Sequence, residues 1–181
     1  AHARPRDQGP RHAEHAPAGA GIPCTVLRTP ILIGPGTAGA ASLLRDAEAG
    51  RPRLLGGGTY TMRPLDLDDL SRAILSVLER RPDGTETLEV VGPEAMTYRD
   101  LVSRVAEMLG REVSVRATPI WLAKLGAFVS RKVTGGGISP AVIDVITADE
   151  IVDRNAAGDL GLELTPLSET LRKIVSSDAT H

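Results

Sequence analysis

The sequence predicts an α/β protein whose sheet is mostly parallel and carries helices on its faces. Short apolar runs rich in β-branched residues alternate with longer stretches patterned as amphipathic helices, the alternation that builds such sheets. The run at residues 24–28, Cys-Thr-Val-Leu-Arg, leads into the extended step Thr29-Pro30, a second apolar run and the stop Gly34-Pro35-Gly36. This reads as a strand delivering its carboxyl end to a crevice, where open α/β sheets bind ligands. Residues 60–72, Tyr-Thr-Met-Arg-Pro-Leu-Asp-Leu-Asp-Asp-Leu-Ser-Arg, read as a strand feeding a capped helix.

Each element has a local reason. Residues 11–20 have weak helical character, broken in the interior by Pro17. Residues 24–28 are the first buried strand. Residues 38–49 are alanine-rich and helical, stopped by Gly50. Gly56-Gly57-Gly58 is a loop, and residues 59–62 are extended. Asp66 caps a helix that runs to Arg81, with the apolar stripe Leu67, Leu70, Ile74, Val77 and Leu78. Residues 87–91 form a second buried strand, closed by Gly92-Pro93. Thr97 opens the next helix with Asp100 three residues on, a capping-box-like pair. Leu101, Val105, Met108 and Leu109 face inward, and Gly110 ends this helix. Residues 113–117 alternate as a strand does. Pro119 suits the first turn of a helix to Val133. Gly135-Gly136-Gly137 breaks the pattern and residues 139–146 form a short helix. Residues 156–160 and 167–175 are helical, separated by a turn at Thr165-Pro166.

At 181 residues the chain is one domain or most of one. Its aromatic residues are Tyr60, Tyr98, Trp121 and Phe128, so the core must be aliphatic. A net charge of −2 gives no reason to expect a nucleic acid or an anionic membrane as partner. The single cysteine, Cys24, excludes an intrachain disulfide and fits a reducing, cytoplasmic setting. No run approaches the roughly 18 apolar residues of a membrane span. His12 and His15, with Glu14 between them, have a helix-like spacing for a metal pair, but no third ligand is evident and no metal is assigned. The chain does not begin with Met. Residues 1–20, rich in Ala, Arg, His, Pro and Gly, read as a flexible or truncated N-terminal segment, and residues 21–181 as the folded unit.

There is no internal repeat, but several short pieces follow one another in a telling order. They are Gly21-Ile22-Pro23 before the first strand, Leu27-Arg28-Thr29-Pro30 at its end, and Gly34-Pro35-Gly36 after it. Gly56-Gly57-Gly58, Arg63-Pro64 and Leu67-Asp68-Asp69-Leu70 follow. Then come Val91-Gly92-Pro93 with Met96-Thr97-Tyr98-Arg99-Asp100-Leu101, and Pro119 with Trp121-Leu122. Asp159-Leu160-Gly161 with Thr165-Pro166-Leu167 closes the series. Over residues 9–175 this order resembles the C-terminal half of the extended and atypical short-chain dehydrogenase/reductases, the NAD-dependent epimerase/dehydratase superfamily. It looks closest to the branch that includes the dehydrogenase-like accessory subunit of respiratory complex I and bacterial NAD(P)H-binding relatives.

The resemblance implies the C-terminal portion of a Rossmann-like doubly wound sheet plus a small substrate-side α/β subdomain. It implies NAD or NADP as cofactor of the intact parent, and a small-molecule substrate. In the family, backbone after the Arg-x-Pro step lies beside the nicotinamide, which points to Thr29, Pro30, Ile31 and Leu32 as cofactor-binding residues. Arg63 and Asp66 fall where family members place substrate-side polar groups. A guanidinium at Arg63 would suit a carboxylate or phosphate, while Asp66 reads equally well as a helix cap only. Asp68 and Asp69 read as first-turn acids that point apart. Trp121, with Leu125 and Phe128 on one helical face, would wall a substrate pocket, dock a partner or pack in the core.

The sequence also departs from the family. The Gly-x-x-Gly-x-x-Gly of a first βα turn is absent, and neither triple glycine follows a buried strand and opens a helix. The Tyr-x-x-x-Lys pair is absent too: neither Tyr60 nor Tyr98 has a lysine four residues later. Catalytic residues are therefore left unknown. The expectation is a substrate-side portion of an NAD(P)-binding oxidoreductase or epimerase, without catalysis and with weak or no NAD(P) binding by itself. The alternative is a non-enzymatic binding or assembly module on the same scaffold, a choice that fold does not settle. Buried parallel strands need neighbours on both sides, so the expected partner is the missing N-terminal half or another protein chain.

Overall fold

A computed structural model describes residues 23–81, 83–123 and 154–178. In chain order the elements are β1 (Cys24–Arg28), β2 (Leu32–Ile33), α1 (Ala38–Glu48), β3 (Arg53–Leu55), β4 (Thr61–Met62), β5 (Leu65–Asp66) and α2 (Leu67–Arg80). They continue with β6 (Thr85–Glu89), β7 (Met96–Thr97), α3 (Tyr98–Met108), β8 (Arg116–Thr118) and α4 (Leu167–Asp178). A further helix begins at Ile120. The segment 1–20 with its His12/His15 pair, Leu125 and Phe128, the second triple glycine and the 139–146 helix lie outside the described residues.

The strands pair two by two. β1 and β6 run parallel, from Cys24 opposite Thr85 to Arg28 opposite Glu89. β2 pairs β5 and β3 pairs β8, both parallel, and β4 pairs β7 antiparallel. Parallel partners demand crossovers, and α2 lies in the one between β1 and β6.

Polar side chains set the helix starts. Thr37 Oγ1 accepts the Ala40 N–H at 3.1 Å, Asp66 Oδ1 the Asp68 N–H at 2.8 Å, and Thr97 Oγ1 the Asp100 N–H at 3.2 Å. Two aliphatic cores result. One joins Leu43 of α1, Leu101 and Val105 of α3, Leu171 and Ile174 of α4, and Ile33 of β2. The other joins Ala73 and Val77 of α2 to Leu65, Val90, Ala156 and Leu160.

Several expectations shift. β6 covers Thr85–Glu89 rather than 87–91: pairing with β1 fixes its start, and Val90 and Val91 are buried beyond the ladder. Neither β1 nor β6 is fully buried; their side chains are half-covered or exposed. β8 covers Arg116–Thr118 rather than 113–117, because register with β3 sets it. Residues 156–160 form turns, not a helix, closed by Leu160 N–H to Ala156 O at 3.1 Å and Leu162 N–H to Ala157 O at 2.9 Å. On α2 the buried residues are Asp69, Ala73 and Val77, while Ile74 and Leu78 face outward. On α3, Leu101 and Val105 are buried as expected, and Met108 is exposed. No helix of the described residues is long and apolar enough to cross a membrane, and no cluster among them could hold a metal ion.

Candidate functional site

The carboxyl ends of β1 and β6 meet the start of β5. Val90 N–H donates to Arg28 O at 2.9 Å, Leu65 N–H to Ile31 O at 3.1 Å, and Gly92 N–H to Arg63 O at 3.0 Å. These three bonds hold the Thr29-Pro30 step, the Arg63-Pro64 step and the Val91-Gly92 turn at one end of the parallel pair, where open sheets bind ligands. Gly92 is required there: a Cβ would lie 1.7 Å from Pro64 O. Asn155 fastens the turn from the other side, its Nδ2 donating to Val91 O at 2.8 Å and its Oδ1 accepting from Ala157 N–H at 3.1 Å. The sequence reading did not single out Asn155, whose partner lies 64 residues away.

Of the residues expected to bind cofactor, Thr29 is exposed and Pro30, Ile31 and Leu32 are half-buried. The Ile31 carbonyl is taken by Leu65 N–H. Leu32 stands opposite Leu65 and packs against its core. Thr29 and Pro30 therefore present the more open part of this backbone. Arg63 is half-buried at the same end, with Nη2 3.5 Å from Pro93 O. Trp121, 67 % exposed, stands on the helix that follows β8.

Asp66 is engaged internally. It is 3 % exposed. Its Oδ1 caps α2, and its Oδ2 accepts from Thr170 Oγ1 at 2.7 Å and Lys173 Nζ at 3.1 Å. Burial pushes its carboxyl pKa up, but the bonds from Thr170, the Asp68 N–H and Lys173 together outweigh burial and hold it below the usual carboxylate value. Asp66 thus stabilises the fold fully above its unfolded pKa of about 4, and that contribution is lost as pH falls through the lower folded value. The expected result is a denaturation midpoint that drops steeply in acid, with the drop blunted in Asp66→Asn; equal acid sensitivity in both proteins would contradict the assignment.

A neighbouring carboxylate, read from the sequence as a first-turn acid, is buried. Asp69 is 0 % exposed. It accepts Thr165 N–H at 2.8 Å, Thr165 Oγ1 at 2.7 Å and Arg72 Nη2. Asp68 points outward to Lys173 Nζ at 2.8 Å. The two acids do point apart, but Asp69 ties α2 to the segment before α4 instead of serving the helix dipole alone.

The tyrosines are not poised as acids or bases. Tyr98 Oη donates to Asp46 Oδ2 at 2.8 Å and its ring stacks on Tyr60 with centroids 5.9 Å apart. Burial, then the Asp46 carboxylate, push both phenols above their usual value, opposite to what a tyrosine acid/base needs.

An NAD(P) group fits these residues in part. The backbone at exposed Thr29 and half-buried Pro30, at the sheet end, suits a carboxamide, whereas a pyrophosphate needs backbone N–H groups at a glycine-rich helix start. Gly56–Gly58 is no such start. It is a tight turn between β3 and β4, with φ of 56°, 74° and 69°, packed against Leu54 and Arg99.

No protein-family model and no curated protein sequence matches the chain. Solved structures do. MoeE5 in complex with UDP-glucose and NAD is 19 % identical with a TM-score of 0.64, over 87 % of this chain and 48 % of that one. A nucleoside-diphosphate-sugar epimerase from Pseudomonas aeruginosa is 18 % identical with a TM-score of 0.65, over 90 % and 50 %. The human epimerase family protein SDR39U1 with NADPH is 19 % identical with a TM-score of 0.62, over 84 % and 48 %. The chain spans about half the length of these structures. Its fold is therefore similar to that of these epimerase-family structures over about half of their length.

Proposed function

We propose that the chain is the substrate-side, C-terminal part of an NAD(P)-binding oxidoreductase or epimerase of this fold. The observation that carries the reading is the meeting of the Thr29-Pro30 and Arg63-Pro64 steps at the carboxyl end of β1 and β6. In this reading residues 21–181 form one functional unit. Thr29 and Pro30, with Ile31 and Leu32 behind them, face the nicotinamide end of the cofactor, and Arg63 binds an anionic or carbonyl-bearing small substrate. NAD(P), when bound, supplies hydride transfer. UDP-glucose is the natural probe, because MoeE5 was solved with it. Asp66 holds α4 in place rather than touching substrate, and Trp121 walls the substrate side. The phosphate-binding turn and the acid/base pair are supplied outside these residues, so this chain alone binds NAD(P) weakly and does not turn over.

Arg63→Ala tests the reading in the whole protein. Loss of a charged hydrogen bond costs about 1.5–3 kcal/mol, so kcat/KM falls about tenfold or more while cofactor affinity holds. Unchanged kcat/KM, or a loss confined to cofactor affinity, removes Arg63 from the substrate site.

A further inference from the structure

β3 and β8 form a two-stranded parallel ribbon with Arg53 opposite Arg116. The pairing extends one step further back, as Ser114 N–H donates to Gly50 O at 2.8 Å and Arg116 N–H to Pro52 O at 2.9 Å. Alternate side chains of a strand share a face, and the two faces of this ribbon differ sharply. Pro52 and Leu54 are buried, and Val113 and Val115 pack against the core that α1, α3 and α4 share. Arg51, Arg53, Ser114 and Arg116 alternate with them and are all exposed. Register thus sets two guanidiniums side by side, and like charges directly opposite each other are unfavourable. Among the described residues no ion pair relieves them: Arg51, Arg53 and Arg116 meet no carboxylate. Glu48 and Glu112, the acids nearest to them in sequence, are exposed and pair with none of the three.

The spacing of these charges selects what fits them. Neighbouring strands lie about 5 Å apart, and alternate residues about 7 Å apart along a strand. Carboxylates at every second residue of an extended chain repeat at the same distance of about 7 Å. A small anion gains little here, because small-ligand sites are concave and these side chains stand in water. Single-stranded nucleic acid calls for aromatic stacking platforms beside the basic groups, and the remaining residues of the face, Leu55, Ser114 and Thr118, offer none. Carboxylates on a polypeptide need neither, and guanidinium forks bind them bidentately. We infer that the outward face of β3 and β8 docks an acidic, extended segment of another protein through Arg51, Arg53 and Arg116. The assignment is independent of any cofactor or substrate.

Fluorescence anisotropy on the full chain tests it, with a labelled peptide that alternates Glu and Thr over about eight residues. Binding is expected at about 20 mM salt and should fade by about 200 mM, where exposed charges are screened. Arg53→Gln with Arg116→Gln should weaken it about tenfold, the combined loss of two exposed ion pairs. Arg154→Gln with Arg172→Gln removes the same charge from other exposed positions and should leave binding unchanged. The thermal midpoint of the Arg53/Arg116 variant should hold or rise, because the like-charge pair is gone. A lowered midpoint would assign the arginines to the fold and overturn the proposal. Equal weakening by the two double variants, no binding of the peptide, or tighter binding of an oligothymidylate of the same length would overturn it too.

Discussion

Gly92→Ala is expected to destabilise the protein by about 3 kcal/mol, near the upper end for overpacking. The added carbon would lie 1.7 Å from Pro64 O, 2.7 Å from Pro64 C and 3.1 Å from Arg63 O. These are backbone atoms, so no rotamer change relieves the clash. The Val91-Gly92 turn after β6 must retreat, and the 3.0 Å bond from Gly92 N–H to Arg63 O is lost. Because that bond holds the Val91-Gly92 turn against the Arg63 step, the same change should weaken any ligand response at Arg63. Chemical denaturation checks the first expectation. Gly84→Ala is the control, since nothing lies within 4 Å of a Cβ there, and its midpoint should move by less than about 0.5 kcal/mol. Equal shifts in the two variants would mean that the close approach of Gly92 to Arg63-Pro64 is not a constraint.

Asp69→Ala is expected to cost about 3 kcal/mol, set by the groups it leaves behind. Arg72 is half-exposed and rehydrates at little expense. Thr165 does not escape so easily: both its N–H and its hydroxyl lose their acceptor in a part-buried site. Asp68→Ala, whose side chain is 72 % exposed, should stay within about 0.5 kcal/mol of wild type. Hydrogen exchange should then rise in α4 of Asp69→Ala and leave β1 and β6 unchanged. A loss spread evenly over the molecule, or parity between the two variants, would contradict the role given to Asp69.

The contrast between these acids shows where sequence reading reaches its end. The caps at Asp66 and Thr97 were legible because a cap is written in a few adjacent residues. Asp69 was not, because its partner Thr165 lies 96 residues on, and nothing near Asp69 distinguishes it from a first-turn acid. Asn155 was hidden for the same reason. The end of β6 was misplaced by two residues because apolarity reports burial, not hydrogen bonding. Val90 and Val91 are among the most buried residues, yet they lie past the ladder that β1 dictates. The outward position of Ile74 and Leu78 was equally invisible, since a stripe of five apolar residues does not say which of them the rest of the chain covers. The Thr29-Pro30 and Arg63-Pro64 steps could be picked out as separate segments; that they meet is a product of parallel pairing.

Under the proposed function this meeting point is the ligand-facing end of the chain, and the phosphate cradle lies elsewhere. Amide-resolved NMR of the 181-residue chain during titration with NADH, then with UDP-glucose, tests it most directly. For NADH the expected result is binding at about 1 mM or weaker, with fast-exchange shifts at Thr29, Ile31 and Leu32. For UDP-glucose the shifts should centre on Arg63 and Gly92. Low-micromolar NADH binding, or shifts gathered at Gly56–Gly58 with none at Thr29, would contradict the account.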